Sequence, residues 1–187
     1  MIKIAVVTGS TRPGRKSKEV AQWLVEQAES PQEVQLDLVD IADFQLPLLD
    51  EAMPPMMKSY SQEHSKKWSQ TISGYDGFIF VTPEYNHSTS AALKNALDYL
   101  YYEWNNKAAA FVSYGSMGGL RAVEHLRAIA GELQMADVQN QVSLSIFSDW
   151  VNFSEFKPAD SHKVALQKML SQLIPWAKAM KGLREQE

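Results

Sequence analysis

The stretch IKIAVVTGSTRPGRKS, residues 2–17, decides the fold, because it joins a buried strand to a helix through a loop of glycine, hydroxyl and basic residues. Ile2–Thr8 is apolar and β-branched, which predicts a strand covered on both faces. Apolar side chains then recur at helical spacing, at Ala21, Leu24, Val25 and Ala28. A strand, a loop and a helix in this order are typical of a parallel α/β sheet.

The same alternation continues along the chain. Further strands are predicted at residues 34–40, 75–82, 108–115 and 136–147, and further helices at 62–72, 91–102, 120–133 and 164–180. The chain has no internal repeat and no linker. It therefore predicts one α/β domain over residues 1–187, with five strands and five helices in a three-layer sandwich.

Composition excludes several classes of function. The 187 residues carry a net charge of −4, without the clustered basic face that nucleic acid requires. The chain has no cysteine, so any redox chemistry must come from a bound cofactor. The first residues are too short an apolar run for a signal peptide, and no run reaches the length of a membrane span. We expect a cytoplasmic protein that binds neither nucleic acid nor membrane.

The loop after the first strand predicts a phosphate site. Gly9 permits a sharp turn, Ser10, Thr11 and Ser17 offer hydroxyls, and a helix follows with Ser17 as its expected N-cap. The loop is not an ATP-binding P-loop, because Arg15 stands where the lysine must directly follow Gly14, and Pro13 removes one N–H group. A solvated basic turn is the alternative interpretation.

Two more loops follow predicted strands at the same edge of the sheet, where ligands bind in such folds. Tyr85, Asn86 and His87 offer a flat ring and hydrogen bonds to a planar heterocycle, or merely a turn before a capped helix. The stretch SYGSMGGLRA, residues 113–122, lets backbone N–H groups approach a ligand. A serine hydrolase is disfavoured, because Tyr114 occupies the first glycine position of the nucleophile elbow. The histidines show no metal-ligand spacing, and no metal is expected.

Three stretches in matching order carry a family resemblance: GSTRPGRKS after strand one, PEYNHSTSAALKNALDYL after strand three and SYGSMGGLRA after strand four. Together they resemble the NAD(P)H-dependent FMN reductase family, flavodoxin-like quinone, azo-dye and chromate reductases. The resemblance implies a flavodoxin-like sheet of order 2-1-3-4-5, FMN as the cofactor, NAD(P)H as the electron donor, and a homodimer or homotetramer.

Site residues follow from the same resemblance. The implied FMN-binding set comprises Ser10, Arg12, Arg15 and Ser17 at the phosphate, Pro83, Glu84, Tyr85 and Asn86 along the ring and ribityl chain, and Gly115, Ser116, Met117 and Gly118 at the other flavin edge. No side chain is expected to be catalytic, since the flavin carries the chemistry. Two positions depart from the family pattern. His87, a possible substrate contact, stands where many members have Gly, and Ser90 where many have Pro.

The expected activity is that of an NAD(P)H:acceptor oxidoreductase. Hydride would pass from nicotinamide to the flavin N5 and then to a quinone, free flavin, azo dye or similar small acceptor, in a ping-pong cycle. A flavodoxin-type electron carrier is the alternative, although a net charge of −4 is weak for docking basic partners. A non-redox nucleotide-binding module is a third possibility. The aromatic cluster Tyr99, Tyr101, Tyr102 and Trp104 is expected at a subunit interface.

Overall fold

The computed structural model describes residues 1–186, which form a parallel β-sheet covered by helices on both faces. The strands are β1 (Ile2–Thr8), β2 (Val34–Asp40), β3 (Gly77–Pro83), β4 (Lys107–Gly115), β5 (Met135–Asp137), β6 (Val142–Ser145), β7 (Trp150–Val151) and β8 (Glu155–Phe156). The α-helices are α1 (Ser17–Gln27), α2 (Glu63–Ser73), α3 (Ala91–Asp98), α4 (Leu120–Glu132) and α5 (Asp160–Arg184). Two short 3₁₀ helices, Ile41–Phe44 and Pro55–Met57, lie between β2 and α2.

The sheet order is β2-β1-β3-β4-β5, and every pairing within it is parallel. This confirms the predicted α/β class and strand order. Alternate residues of each central strand enter opposite cores: Val6 and Val81 pack with α1 and α5, whereas Val7 and Phe80 pack with α2, α3 and α4. Because both faces are buried, the strands show continuous apolar runs in place of a polar alternation.

The prediction of one continuous fifth strand over residues 136–147 was wrong. Two shorter strands, β5 and β6, replace it, and both pair with β4. Residues 138–141 stand opposite only residues 110–111 of β4, so the ladder is interrupted there. Within this break the Arg127 guanidinium of α4 donates to the carbonyl oxygens of Val138 and Gln139 and to Gln141 Oε1. These interactions satisfy backbone oxygens that a continuous ladder would otherwise use.

Other boundaries also differ from the sequence prediction. Helix α3 ends at Asp98, four residues before its predicted end, and α5 extends four residues beyond its predicted limits at both ends. The β7–β8 hairpin was not predicted at all. Two members of the aromatic cluster expected at a subunit interface, Tyr99 and Trp104, are fully buried within this chain. They belong to its core, because Trp104 packs edge-on against Trp68 and Phe78.

Lys107, at the start of β4, is a buried lysine at the end of the sheet away from the predicted site. Its Nζ donates to the carbonyl oxygens of Ile72 and Ser73, the last residues of α2, 3.0 and 3.4 Å away. Burial, with a smaller contribution from Arg184, lowers the pKa of Lys107 to about 7. The Lys107 amine therefore satisfies carbonyl oxygens at the C-terminus of α2, and it titrates near neutral pH.

We expect the free energy of unfolding to rise between about pH 7 and pH 10 because of Lys107. The unfolded chain, in which a lysine has a pKa of about 10.4, binds more protons than the folded chain in this range. The slope is at most about 1.4 kcal/mol per pH unit. Denaturant unfolding at a series of pH values measures it. Lys107→Met should flatten the slope, whereas Lys66→Met, at an exposed position of α2, should leave it unchanged; an equal slope in both variants would contradict the assignment.

Candidate functional site

A cleft of about 300 Å³ lies at the carboxyl edge of the sheet, between the loops that follow β1, β3, β4 and β6. Its lining residues are Arg12, Gly14, Arg15, Lys16, Pro83, Glu84, Tyr85, Tyr114, Gly115, Ser116 and Ile146. The volume falls in the range of small-molecule sites. The structure thus brings together the three loops that the sequence singled out.

The loop after β1 is shaped by two glycines. A Cβ on Gly9 would lie 2.6 Å from the carbonyl oxygen of Val81, so only glycine fits there. Gly14, with φ +70°, occupies the third position of a turn in which Arg15 N–H donates to the carbonyl oxygen of Arg12. Proline before glycine is the preferred chemistry of such a turn. The loop therefore follows directly from the RPGR sequence.

The structure corrects the expected cap of α1. Lys16 occupies the N-cap position and makes no side-chain cap, whereas Ser17 is the first residue of the helix. The Ser17 hydroxyl is fully buried beside the Tyr114 hydroxyl, and neither oxygen has a well-formed hydrogen-bond partner among residues 1–186. A buried hydroxyl without a partner is costly unless a ligand supplies one. Together with the free N–H groups of a helix N-terminus, it fits a bound phosphate.

Arg15 also bears on this anion site. One guanidinium nitrogen, NH2, donates to Asp40 Oδ2 at 2.7 Å, while its Nε is buried and lacks a partner among the described residues. Burial would raise the pKa of Asp40, but hydrogen bonds from Arg15 and from the Thr8 hydroxyl hold it below its ordinary value. Asp40 is therefore ionised and fixes Arg15 beside the cleft, leaving Nε for an anion.

The loop after β3 forms a tight turn between Tyr85 and Ser88, whose backbone groups exchange two hydrogen bonds. Asn86 and His87 at its centre both have positive φ, 48° and 75°. The Tyr85 hydroxyl lies 3.2 Å from Ser10 Oγ, which links this turn to the loop after β1. Tyr85 thereby presents its ring to the cleft from a fixed position.

Two side chains, Glu84 and Ser90, hold the loop ends in place. Glu84 is ion-paired with Arg121 and accepts the backbone N–H of Arg121 in the first turn of α4. Ser90 caps α3 by accepting the N–H of Leu93, and its hydroxyl donates to the Gly9 carbonyl oxygen. A proline at position 90 could make neither bond, so this departure from the family pattern has a structural role here.

The His87 side chain lies within hydrogen-bond distance of Arg121. Its Nδ1 lies 3.2 Å from an Arg121 guanidinium nitrogen, which can only donate. In this arrangement Nδ1 accepts, and the ring proton is on Nε2. His87 is exposed and is not among the lining residues of the cleft.

The other predicted residues lie in the same three loops. Seven of the twelve predicted binding residues line the cleft: Arg12, Arg15, Pro83, Glu84, Tyr85, Gly115 and Ser116. The remaining five, Ser10, Ser17, Asn86, Met117 and Gly118, lie behind or beside that lining. The predicted binding set did not include Gly14, Lys16, Tyr114 and Ile146, which also line the cleft. Ile146 was missed because the predicted fifth strand, residues 136–147, included it, whereas β6 ends at Ser145 and Ile146 lies beyond the strand at the edge of the sheet where ligands bind.

Tyr114 adds a second unpaired hydroxyl to the cleft. Its oxygen is buried without a hydrogen-bond partner among the described residues. Burial raises the pKa of this phenol, so it stays protonated and can donate. Within residues 1–186, no group of three or more His, Asp or Glu side chains is placed to hold a metal ion, and no helix is long and apolar enough to cross a membrane.

Comparisons with known proteins agree with this geometry. A sequence profile described as NADPH-dependent FMN reductase matches residues 2–149. An NAD(P)H-dependent FMN reductase from a Nectria species is 46% identical over 128 residues, 65% of this chain and 64% of that protein. A 2-hydroxy-1,4-benzoquinone reductase from a Burkholderia species is 35% identical over 155 residues, 79% of this chain and 80% of that protein.

A solved structure shares the fold. The flavoenzyme NAD(P)H:(acceptor) oxidoreductase from Paracoccus denitrificans superposes with a TM-score of 0.73 at 21% sequence identity. The match covers 96% of this chain and 99% of that one. The likeness establishes the flavodoxin-like arrangement of strands and helices.

Proposed function

Because the chain belongs to the NADPH-dependent FMN reductase family, oxidoreductases that use FMN and NAD(P)H, we propose that it binds FMN in this cleft and reduces small planar acceptors. The observation that carries the proposal is the anion site at the N-terminus of α1. There the buried hydroxyl of Ser17 and the buried Nε of Arg15 both lack partners among residues 1–186. A terminal phosphate would satisfy both groups at once.

The phosphate end of FMN is assigned to the loop after β1. Ser17 Oγ and Arg15 Nε would donate to phosphate oxygens, and Arg12 would add a charge-assisted contact. The guanidinium of Arg12 lies 5.9 Å from the centre of the Tyr85 ring and forms no ion pair among the described residues. It is therefore available to a ligand that lies between this loop and Tyr85.

The ring end is assigned to the loops after β3 and β4. Tyr85 would form an apolar wall beside the ring. Glycines at the start of the β4–α4 loop would let backbone groups approach the ring. When bound, FMN takes two electrons from NAD(P)H and passes them to an acceptor in a separate step. The role of the chain is to hold the cofactor, exclude water and orient the acceptor.

Quinones are the proposed acceptor class, with free flavin and azo dyes as further candidates. The Burkholderia relative is by name a benzoquinone reductase, which supports a quinone as the acceptor here. The expected homodimer or homotetramer and the cytoplasmic location stay predictions. Tyr102 is 49% exposed, so this member of the aromatic cluster is still available for a subunit contact.

Purification followed by spectroscopy tests the proposed function. We expect the protein to take up FMN and show flavin absorption, and NADPH to be oxidised continuously in the presence of 1,4-benzoquinone, with one quinone reduced per NADPH. A bound flavin that NADPH does not reduce would favour an electron carrier instead. A protein that fails to bind added FMN would contradict both functions.

A further inference from the structure

Two exposed phenylalanines lie on a segment that we call the aromatic hairpin, residues 147–156, which directly follows the cleft residue Ile146. Phe147 and Phe153 are 66% and 63% exposed. Their ring centres are 5.9 Å apart at an interplanar angle of 79°, an edge-to-face pair. Exposed aromatic pairs of this kind are uncommon away from binding surfaces.

The base of the aromatic hairpin is anchored in the core. Trp150 is buried, packs against Phe156 with ring centres 4.7 Å apart, and donates from Nε1 to Glu19 at 2.7 Å. Asp149 is buried as well, accepts the backbone N–H of Ser145 and lies 2.9 Å from His162 Nε2. The exposed rings are therefore carried by a fixed segment.

The chain neighbours of both phenylalanines line the cleft or bind a residue that lines it. Ile146, which lines it, directly precedes Phe147. Lys16, another lining residue, donates from Nζ to the carbonyl oxygen of Ser154, the neighbour of Phe153, at 2.9 Å. Adjacent Cα atoms are only about 3.8 Å apart. The backbone that carries the phenylalanine pair therefore lies at the rim of the cleft.

The backbone under Phe153 is strained. Ser154 N–H donates to the Val151 carbonyl oxygen across a two-residue turn, and both central residues have positive φ, 49° at Asn152 and 57° at Phe153. Such turns favour Asn followed by Gly, and a bulky side chain is unusual in this conformation. Phe153 makes no ring contact within residues 1–186 other than with Phe147. Strain at an exposed side chain without a packing role points to function.

We propose that Phe147 and Phe153 form the outer wall of the acceptor site and bind the planar, uncharged ring of a quinone. The inference rests on the proposed function. An apolar ring pair suits a quinone ring, which stacks on or packs edge-on to aromatic faces. It suits the dinucleotide donor less well, because the phosphates of NAD(P)H require charged or polar partners.

The test compares two acceptors in three variants of the FMN-loaded protein. We expect Phe153→Gly and Phe147→Ala each to lower the ratio of kcat/KM for 1,4-naphthoquinone to that for ferricyanide by about 5- to 10-fold, the size of one aromatic contact. Val164→Ala, which shortens an equally exposed apolar side chain on α5, should keep the parental ratio. Phe153→Gly should also melt no lower than the parent, because it creates the favoured Asn-Gly turn.

Three results would overturn the proposal: an unchanged ratio in both variants, a rise in KM for NADPH that matches the loss with naphthoquinone, or a loss explained by a changed oligomeric state in size-exclusion chromatography. Failure of the proposed function is distinguishable. In that case the parent protein itself reduces neither acceptor with NADPH, whereas failure of this inference leaves an active parent and equally active variants.

Discussion

Replacing Arg12 with alanine is expected to weaken FMN binding by roughly 10- to 100-fold, because a charge-assisted hydrogen bond contributes about 1.5 to 3 kcal/mol. Arg12 lines the cleft, is exposed, and is free of ion pairs among the described residues. Its loss should therefore leave the free energy of unfolding of the FMN-free protein nearly unchanged. Titration of the FMN-free protein with FMN, followed by fluorescence quenching, measures the dissociation constant.

The matched control is Lys163→Ala, which removes an exposed positive charge from α5. It should bind FMN as the parent does. Ser17→Ala separates hydrogen bonding from charge: it should also weaken FMN binding, yet the FMN-free protein should be as stable as the parent or more so, since an unpaired buried hydroxyl is removed. If Arg12→Ala and Lys163→Ala retain FMN equally, Arg12 does not contact the phosphate.

Gly119→Ala is expected to destabilise the protein by about 3 kcal/mol and to lower its melting temperature by roughly 6 to 12 °C. Gly119 has φ +72°, which disfavours any side chain. An added Cβ would also lie 2.7 Å from Ser113 Cβ and 2.9 Å from the Tyr114 backbone nitrogen, both in β4. Because the strand cannot yield, the loop after β4 must move, and FMN affinity should fall with it. Thermal unfolding and FMN titration measure the two effects.

Gly131→Ala provides the control for this change. Gly131 lies within α4, and an added Cβ there meets no atom within 4 Å. Alanine in a helix is favoured over glycine by up to about 1 kcal/mol, so this variant should be slightly more stable than the parent and bind FMN equally. Equal melting temperatures for the two variants would show that the loop accommodates a side chain at position 119.

Local sequence patterns predicted the central strands and the strand-to-helix loop after β1 well. Strand β1 was predicted with its observed bounds, because its apolar run ends at a glycine that no other residue can replace. The turn at Pro13 and Gly14 likewise depends on two neighbouring residues. The split of the fifth strand was not predictable in this way, since the carbonyl oxygens at the break are satisfied by Arg127, which lies on a helix before it.

The sequence by itself determined the fold class, the family and the three loops that meet at the edge of the sheet, because apolar periodicity and turn chemistry act between near neighbours. Only the tertiary structure showed that Asp40 holds Arg15, that Ser17 is buried rather than capping its helix, and that Phe147 and Phe153 form an exposed edge-to-face pair. These features depend on contacts between segments that are distant in the chain, and the packing of the sheet and helices alone fixes which of them meet.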